Sequence, residues 1–226
     1  MSQGYFVTGT DTGAGKTVIS VALLQAFARK GKRVAGLKPV ASGCELTREG
    51  LRNADALALQ AAANVALPYD SINPYAFAPA IAPHLAAAQN NQSIEVRNIK
   101  RIVDNVREQA DILVIEGVGG WQVPLNDHET MADLATALAL PVILVVGLRL
   151  GCLNHALLSA LAINAAGLRL AGWVANSVDP DFEEPEQNIA TLNHWLKAPC
   201  LGQIPCFSGQ VLAAQLTDLL DISQLR

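Results

Sequence analysis

Short apolar runs punctuate the chain at Tyr5-Phe6-Val7, Val34 to Leu37, Ile112 to Ile115, Val142 to Val146 and Leu170 to Ala175. Runs of this length without alternation suit strands buried on both faces, as in a parallel sheet. Between them the period changes to that of a helix. Ile19, Leu23, Ala26 and Phe27 form one stripe and Val96, Ile99, Val103, Val106 and Ala110 another, with Lys and Arg set between the apolar positions. Strand-helix alternation predicts an α/β fold: a mainly parallel β-sheet flanked by helices on both faces, with right-handed crossovers and ligands at the carboxyl ends of strands. Residues 133–149 are almost uncharged but broken by Pro141. They read as a helix and then a buried strand, short of the roughly 20 apolar residues that span a bilayer. The segment from Pro68 to Pro83, with Pro74 and Pro79 inside it, predicts an irregular excursion on the surface. Its pattern assigns it no role.

Composition narrows the class. Of 226 residues, 51% are hydrophobic and 16% charged, against a usual charged share of about 25%, which excludes disorder and coiled coils and requires a large core. No repeat and no Pro, Gly or Ser-rich linker divides the chain, so residues 1–226 are expected to form a single domain. Sixteen Lys and Arg against 20 Asp and Glu give a net charge of −4, with no basic run to serve a nucleic acid or an anionic membrane. Met1-Ser2-Gln3-Gly4 lacks the basic region of a secretory signal, and a cytoplasmic protein is expected. Cys44, Cys152, Cys200 and Cys206 lack CxxC spacing and read as reduced thiols.

The chemistry is concentrated where apolar runs end. Gly9-Thr10-Asp11-Thr12-Gly13-Ala14-Gly15-Lys16-Thr17 follows the first run and opens a helical pattern. That is the context of a P-loop, whose backbone N–H groups close around phosphate oxygens at a helix N-terminus, with Lys16 reaching the β/γ-phosphates and the Thr17 hydroxyl suited to Mg²⁺. The loop is a variant, since five residues rather than four separate Gly9 from Gly15. Glu116 ends the run 112–115 and supplies the second carboxylate that a metal-bound triphosphate needs. The Gly117-Val118-Gly119-Gly120 run after it leaves room for close approach to the backbone. Lys38, in Leu37-Lys38-Pro39-Val40-Ala41-Ser42-Gly43, puts a second ammonium at a strand end, where it can neutralise a transferring phosphoryl group or an anionic substrate. Asp55 follows Asn53 and reads either as an acid in the first turn of a helix capped by Asn53 or as a metal ligand.

These residues resemble a known family, the ATP-dependent dethiobiotin synthetases. The resemblance rests on residues 6–12 with Lys16-Thr17, Lys38-Pro39-Val40-Ala41-Ser42-Gly43, Gly50-Leu51-Arg52-Asn53-Ala54-Asp55-Ala56-Leu57, Glu116-Gly117-Val118-Gly119-Gly120-Trp121, residues 140–146, Gly151-Cys152-Leu153-Asn154-His155-Ala156 and Ala171-Gly172-Trp173-Val174-Ala175-Asn176, all in the family's order. It implies a homodimeric enzyme that converts 7,8-diaminononanoate, CO₂ and MgATP into dethiobiotin, ADP and phosphate through a carbamate and a carbamic-phosphoric anhydride. Lys16 and Lys38 would flank the carbamate and γ-phosphate. Gly13, Ala14, Gly15, Lys16, Thr17 and Val18 would bind the nucleotide with Asp55, Glu116 and Gly119, and Asn176 and Pro205 would meet its base. Mg²⁺ would sit among Thr17, Asp55 and Glu116. Thr12, Lys38 and Ser42 would meet the substrate, whose carboxylate would be held across the dimer by Gly151, Cys152, Leu153 and Asn154. Gly13 stands where some members carry Glu, and Asn188 near where some carry Tyr.

The alternative is a partitioning or cell-division switch ATPase with a protein partner. Such proteins usually carry a lysine early in the phosphate loop, near Asp11 here, and a basic partner-binding surface, whereas Leu216 to Asp221 is acidic. A G protein fares worse, because Asn176-Ser177-Val178-Asp179 lacks the guanine-reading lysine. A serine hydrolase is weaker again, since Ser42 lacks the Gly-x-Ser-x-Gly elbow.

Overall fold

The computed structural model describes residues 3–207 and 213–225. Its strands are β1 (Gln3–Gly9), β2 (Val34–Leu37), β3 (Val40–Ser42), β4 (Glu45–Thr47), β5 (Gly50–Arg52), β6 (Tyr75–Phe77), β7 (Ile112–Glu116), β8 (Val142–Leu148), β9 (Leu170–Ser177) and β10 (Cys200–Ile204). Its helices are α1 (Lys16–Arg29), α2 (Ala54–Ala62), α3 (Tyr69–Ile72), α4 (Pro83–Gln89), α5 (Val96–Arg107), α6 (Met131–Leu138), α7 (Cys152–Ala165), α8 (Pro185–Trp195) and α9 (Ala213–Thr217).

Six strands form one parallel sheet in the order β10-β9-β8-β1-β7-β2. All of β2, β7 and β8 is buried, as strands covered on both faces must be. One cluster packs α5, α6 and α7 against the sheet through Ile99, Val103, Leu134 and Ile163. A second packs α1 on the other face through Ile19, Leu23 and Leu24. The two stripes read from the sequence are the faces that these helices bury. Each apolar run became a strand of this sheet, and residues 133–149 became the end of α6 followed by β8. The short strand β10 at the sheet edge has mixed burial and gave no apolar run to read.

The order of the strands positions the chemistry. The chain leaves β1, forms β2 two places away, and later inserts β7 between them before starting β8 on the far side of β1. The carboxyl ends of β1, β7 and β2 are therefore neighbours, with roughly 4.8 Å between adjacent strands. The phosphate loop, Glu116 and Lys38 stand at those three ends.

One expectation needs correction. Pro68 to Pro83 is an irregular surface excursion only at its end, where Ala78, Ala80, Ile81 and Ala82 are exposed. It folds into α3 and β6, buries Ile72 and Phe77 almost completely, and pairs β6 with β3 in a small parallel sheet. Tyr69, Ile72 and Phe77 supply the apolar contacts, and the prolines fall at element boundaries, where their missing N–H is tolerated.

Gly36 lies where α1 and α2 both cross β2. A Cβ there would stand 2.7 Å from Leu24 Cδ1 and 3.1 Å from Leu59 Cβ. Gly36→Ala is expected to lower the unfolding free energy by about 1–3 kcal/mol through overpacking, measured by urea denaturation; an unchanged midpoint would mean the helices can withdraw freely.

Candidate active site

The phosphate loop turns on two glycines with left-handed backbone, Gly13 at φ 79° and Gly15 at φ 89°, a region that side chains with a Cβ rarely adopt. Gly15 is also the N-cap of α1, so the first amides of that helix open toward the loop. A Cβ on Gly15 would fall 2.1 Å from Asn176 Nδ2. Asn176, on β9, donates from that nitrogen to the Ala14 carbonyl at 2.9 Å. Gly147 permits a similarly close approach, its missing Cβ lying 3.1 Å from Ala14 Cα. Lys16 folds back over the loop and donates from Nζ to the Asp11 carbonyl at 3.1 Å. Arg149, just past β8, grips the same turn, donating to Asp11 Oδ2 at 2.7 Å and to the Thr12 carbonyl at 3.4 Å.

Beside the loop, Glu116 is almost wholly buried and its Oε1 accepts from two donors: Thr17 Oγ1 at 2.8 Å and Lys38 Nζ at 2.5 Å. Lys38 Nζ also lies 3.0 Å from Asp55 Oδ2. Asp55 stands in the first turn of α2, and Asn53 caps that helix by accepting from the Asp55 and Ala56 amides at 3.1 and 3.2 Å. The reading of Asp55 as an acid in the first turn of a helix capped by Asn53 is the one this geometry shows. Burial alone would push the Lys38 ammonium toward its neutral form, but the Glu116 and Asp55 carboxylates together outweigh it and hold the pKa above the ordinary lysine value. At Lys16, burial first, and the Lys38 charge second, lower the pKa to about 8. Glu116, Asp55 and Asp11 also favour the charged form of Lys16, but they act without direct pairing and are outweighed.

A cleft of about 750 Å³ opens over these groups. Thr12, Lys16, Thr17, Lys38, Ser42, Asp55, Glu116 and Gly119 all line it, so residues 12 to 119 of the predicted set converge on one space. Gly13, Gly15 and Val18 line its phosphate-loop wall, with Ala14 buried behind them. Ser42 Oγ is buried in it without a partner. Gly151, Cys152, Leu153 and Asn154 do not line this cleft; they begin α7, with Cys152 buried and Gly151 as its left-handed N-cap. Pro205 lines a separate cavity with Leu148, Phe182 and Ile204. Among the residues that sequence reasoning missed, Ala80, Ile81, Ala82 and Pro83 form one wall of the cleft, with Val118 and Val123. Arg149 was missed too, although a cation where a strand ends was the signal that singled out Lys38.

Among the described residues, no group of three or more His, Cys, Asp or Glu side chains makes a preformed metal cage. The donors at the cleft nonetheless suit Mg²⁺, which binds through one or two carboxylates and substrate phosphates: Glu116 Oε2 is buried with no partner, the Thr17 hydroxyl donates to the other oxygen of that carboxylate, and Asp55 shares the Lys38 ammonium with it.

A family model described as an AAA domain matches residues 3–209. Curated relatives named ATP-dependent dethiobiotin synthetase BioD include that of Pseudomonas aeruginosa strain UCBPP-PA14, 57% identical over 202 residues and covering 89% of each chain. That of Pseudescherichia vulneris is 51% identical over 225 residues, covering 100% of this chain and 94% of its own. The chain belongs to the ATP-dependent dethiobiotin synthetase family. Among solved structures, the septum site-determining protein MinD of Pyrococcus horikoshii, complexed with Mg-ADP, superposes with a TM-score of 0.58 at 16% identity over 91% of this chain and 82% of its own. The Pyrococcus furiosus cell division ATPase MinD gives 0.55 at 18%, over 91% and 84%. These share the P-loop fold with the synthetase family, while the sequence identity lies with the synthetases. The cell-division alternative is not favoured. No described helix is long and apolar enough to cross a membrane.

Removing the Lys38 ammonium would leave Glu116 buried and unpaired beside Asp55. Lys38→Met is expected to destabilise the nucleotide-free protein by about 3 kcal/mol, read from denaturant unfolding at pH 7; equal stability would show that solvent already screens the pair.

Proposed function

We propose that the cleft closes the ureido ring of dethiobiotin from 7,8-diaminononanoate, CO₂ and ATP. The observation that carries this is the convergence of two ammonium groups, Lys16 and Lys38, with the Thr17 hydroxyl and the Glu116 and Asp55 carboxylates around one space beside a phosphate loop. A partitioning or cell-division switch would place its additional lysine early in the phosphate loop, near Asp11, whereas here the second ammonium stands at the end of β2. A second lysine, drawn in by two carboxylates, suits an additional anion at the γ-phosphate.

In this reading one substrate amine adds to CO₂, loses a proton and becomes a carbamate. A carbamate oxygen attacks the γ-phosphorus, the bond to the β-phosphate oxygen breaks, and ADP leaves. The second amine then attacks the carbonyl carbon of the resulting mixed anhydride, expels phosphate and loses a proton. None of these steps calls for a covalent bond to the protein. They ask for positioning and for charge neutralisation at the transferring group. Lys16 meets the β/γ-phosphates and Lys38 the junction of carbamate and γ-phosphate, where fixed cations in a partly dry cleft act most strongly. Thr17, Asp55 and Glu116 would hold Mg²⁺, which would supply further charge neutralisation on phosphate oxygens. Ser42, with its free hydroxyl, and Thr12 contact the substrate head, while Ile81, Ala82, Val118 and Val123 give its alkyl chain an apolar wall.

Gly151 to Asn154, at the N-terminus of α7, do not line this cleft, which is compatible with a role toward a partner subunit's substrate carboxylate. Leu150, Leu158 and Leu161 beside it are exposed, an apolar face that favours a homodimer. Asn176 and Pro205 support the nucleotide at its base end, where the cavity behind Pro205 opens.

Purified protein with MgATP and bicarbonate is expected to release phosphate only when the diamine is added. Lys38→Ala should lose most turnover, and Lys16→Ala both nucleotide binding and turnover. Diamine-independent release, or normal ring closure by Lys38→Ala, would defeat the reading. A pH effect arises from Lys16. Free Lys16 titrates near 8, and bound phosphates favour its charged form. Nucleotide binding at pH 8 should therefore take up about half a proton, with uptake rising and affinity falling from pH 7 to 9. The variation of binding heat with buffer ionisation enthalpy measures this; heats that do not depend on the buffer would count against a neutralised lysine in the empty site.

A further inference from the structure

Lys38 sits one residue beyond β2, where the chain leaves the main sheet for the small one, so its own backbone groups have no ladder partners there. It is nevertheless buried, and buried backbone N–H and C=O groups must be paired. Both partners come from the segment at α3. The Lys38 N–H donates to the Ile72 carbonyl at 3.0 Å. The Lys38 carbonyl accepts from Asn73 Nδ2 at 2.7 Å. Asn73 is itself 3% exposed, and its Oδ1 accepts from the Tyr69 hydroxyl at 3.1 Å. That hydroxyl in turn accepts from the Asn53 amide at 2.7 Å, and Asn53 is the cap of the helix whose first turn carries Asp55. The Arg52 guanidinium lies 4.2 Å from the centre of the Tyr69 ring and helps fix its plane.

The backbone of Lys38 and the start of α2 are thus joined by one chain of hydrogen bonds, Lys38 carbonyl to Asn73, Asn73 to Tyr69, Tyr69 to Asn53. Its two ends are the two elements whose side chains meet as the Lys38–Asp55 pair. We propose that Tyr69 and Asn73 are positioning residues for this reaction: they set the distance between Lys38 and Asp55 and so the placement of the ammonium at the γ-phosphate junction. Neither residue lines the cleft, and no hydrogen bond of this chain involves a residue of the phosphate loop. Their effect should fall more heavily on the chemical step than on nucleotide affinity, which they reach only through Asp55 and Lys38. Fully satisfied buried networks fix geometry in this way, and loss of one member loosens the rest. The inference rests on the ring-closing function proposed above.

The test compares Tyr69→Phe, which removes one hydroxyl from a ring that still fits, and Asn73→Asp, which keeps an acceptor for Tyr69 but loses the donor to Lys38. Gln60→Ala serves as a control, because Gln60 bonds the Leu67 carbonyl in the same region and touches neither end of the network. With MgATP, bicarbonate and diamine, kcat of both network variants is expected to fall about tenfold or more, with any rise in the KM for ATP severalfold smaller than that fall. Gln60→Ala should keep kcat even where its melting temperature drops as far as theirs. Wild-type kcat in Tyr69→Phe and Asn73→Asp would overturn the proposal. So would losses that follow melting temperature alike in all three variants. Amide exchange separates this proposal from the function it rests on. Tyr69→Phe should speed exchange at Asn53 to Ala56 in the nucleotide-free protein, and unchanged exchange would overturn the network's positioning role even if the diamine reaction itself were absent.

Discussion

The carboxylate of Glu116 is buried at the end of β7, and a single one of its oxygens receives both the Thr17 hydroxyl and the Lys38 ammonium. A charge in that position is costly unless it is paired, so the carboxylate draws donors from both neighbouring strand ends. From the β1 side comes the first turn of α1, carrying Thr17; from the β2 side comes Lys38. Asp55 joins Lys38 on its other flank. The pairing places the phosphate loop and the second lysine in one cleft, and it explains why the two lysines differ. Lys38 is held charged by two carboxylates that it pairs directly, whereas at Lys16 burial and the Lys38 charge outweigh the more distant carboxylates and bring it closer to neutrality.

Strand order makes that arrangement possible. Because β7 lies between β1 and β2, groups at residues 17, 38 and 116 meet across three neighbouring strand ends. The same parallel architecture serves the MinD proteins at 16–18% identity, so the fold does not specify the reaction. The chemistry lies in the residues at and just beyond the strand ends, and over most of the chain the sequence agrees with the synthetases at 51–57% identity. In the function proposed above, the second ammonium and its two carboxylates are what would turn a general nucleotide fold toward an anionic co-substrate.

The small parallel sheet of β3 and β6 belongs to the same logic. It carries the chain away from Lys38 and returns it through α3 and β6, so that main-chain and side-chain groups of residues 69–73 satisfy a backbone that has left the main sheet. Past β6, residues 80–83 turn back over the cleft as an apolar wall. A stretch with frequent prolines is ordered here because buried Ile72 and Phe77 anchor it to the core.

Much of this was legible in the residues alone. Apolar runs without alternation specify strands buried on both faces, and their spacing with helical stripes specifies a layered parallel fold, because burial and backbone pairing leave few other solutions. The phosphate loop, Glu116 and Lys38 were readable because each is a polar group at the point where an apolar run stops. The resemblance to the synthetases supplied only expected roles for residues that carry no such local mark, such as Asn176 and Pro205. Local pattern could not reveal that Glu116 would pair with Thr17 and Lys38 through one oxygen, that Arg149 would hold the Asp11 turn, or that Tyr69 and Asn73 would bridge to Lys38. Those contacts join residues between 16 and 138 positions apart. They come into being only when the order of strands in the sheet brings separate strand ends together, and the period of a sequence carries no record of that order.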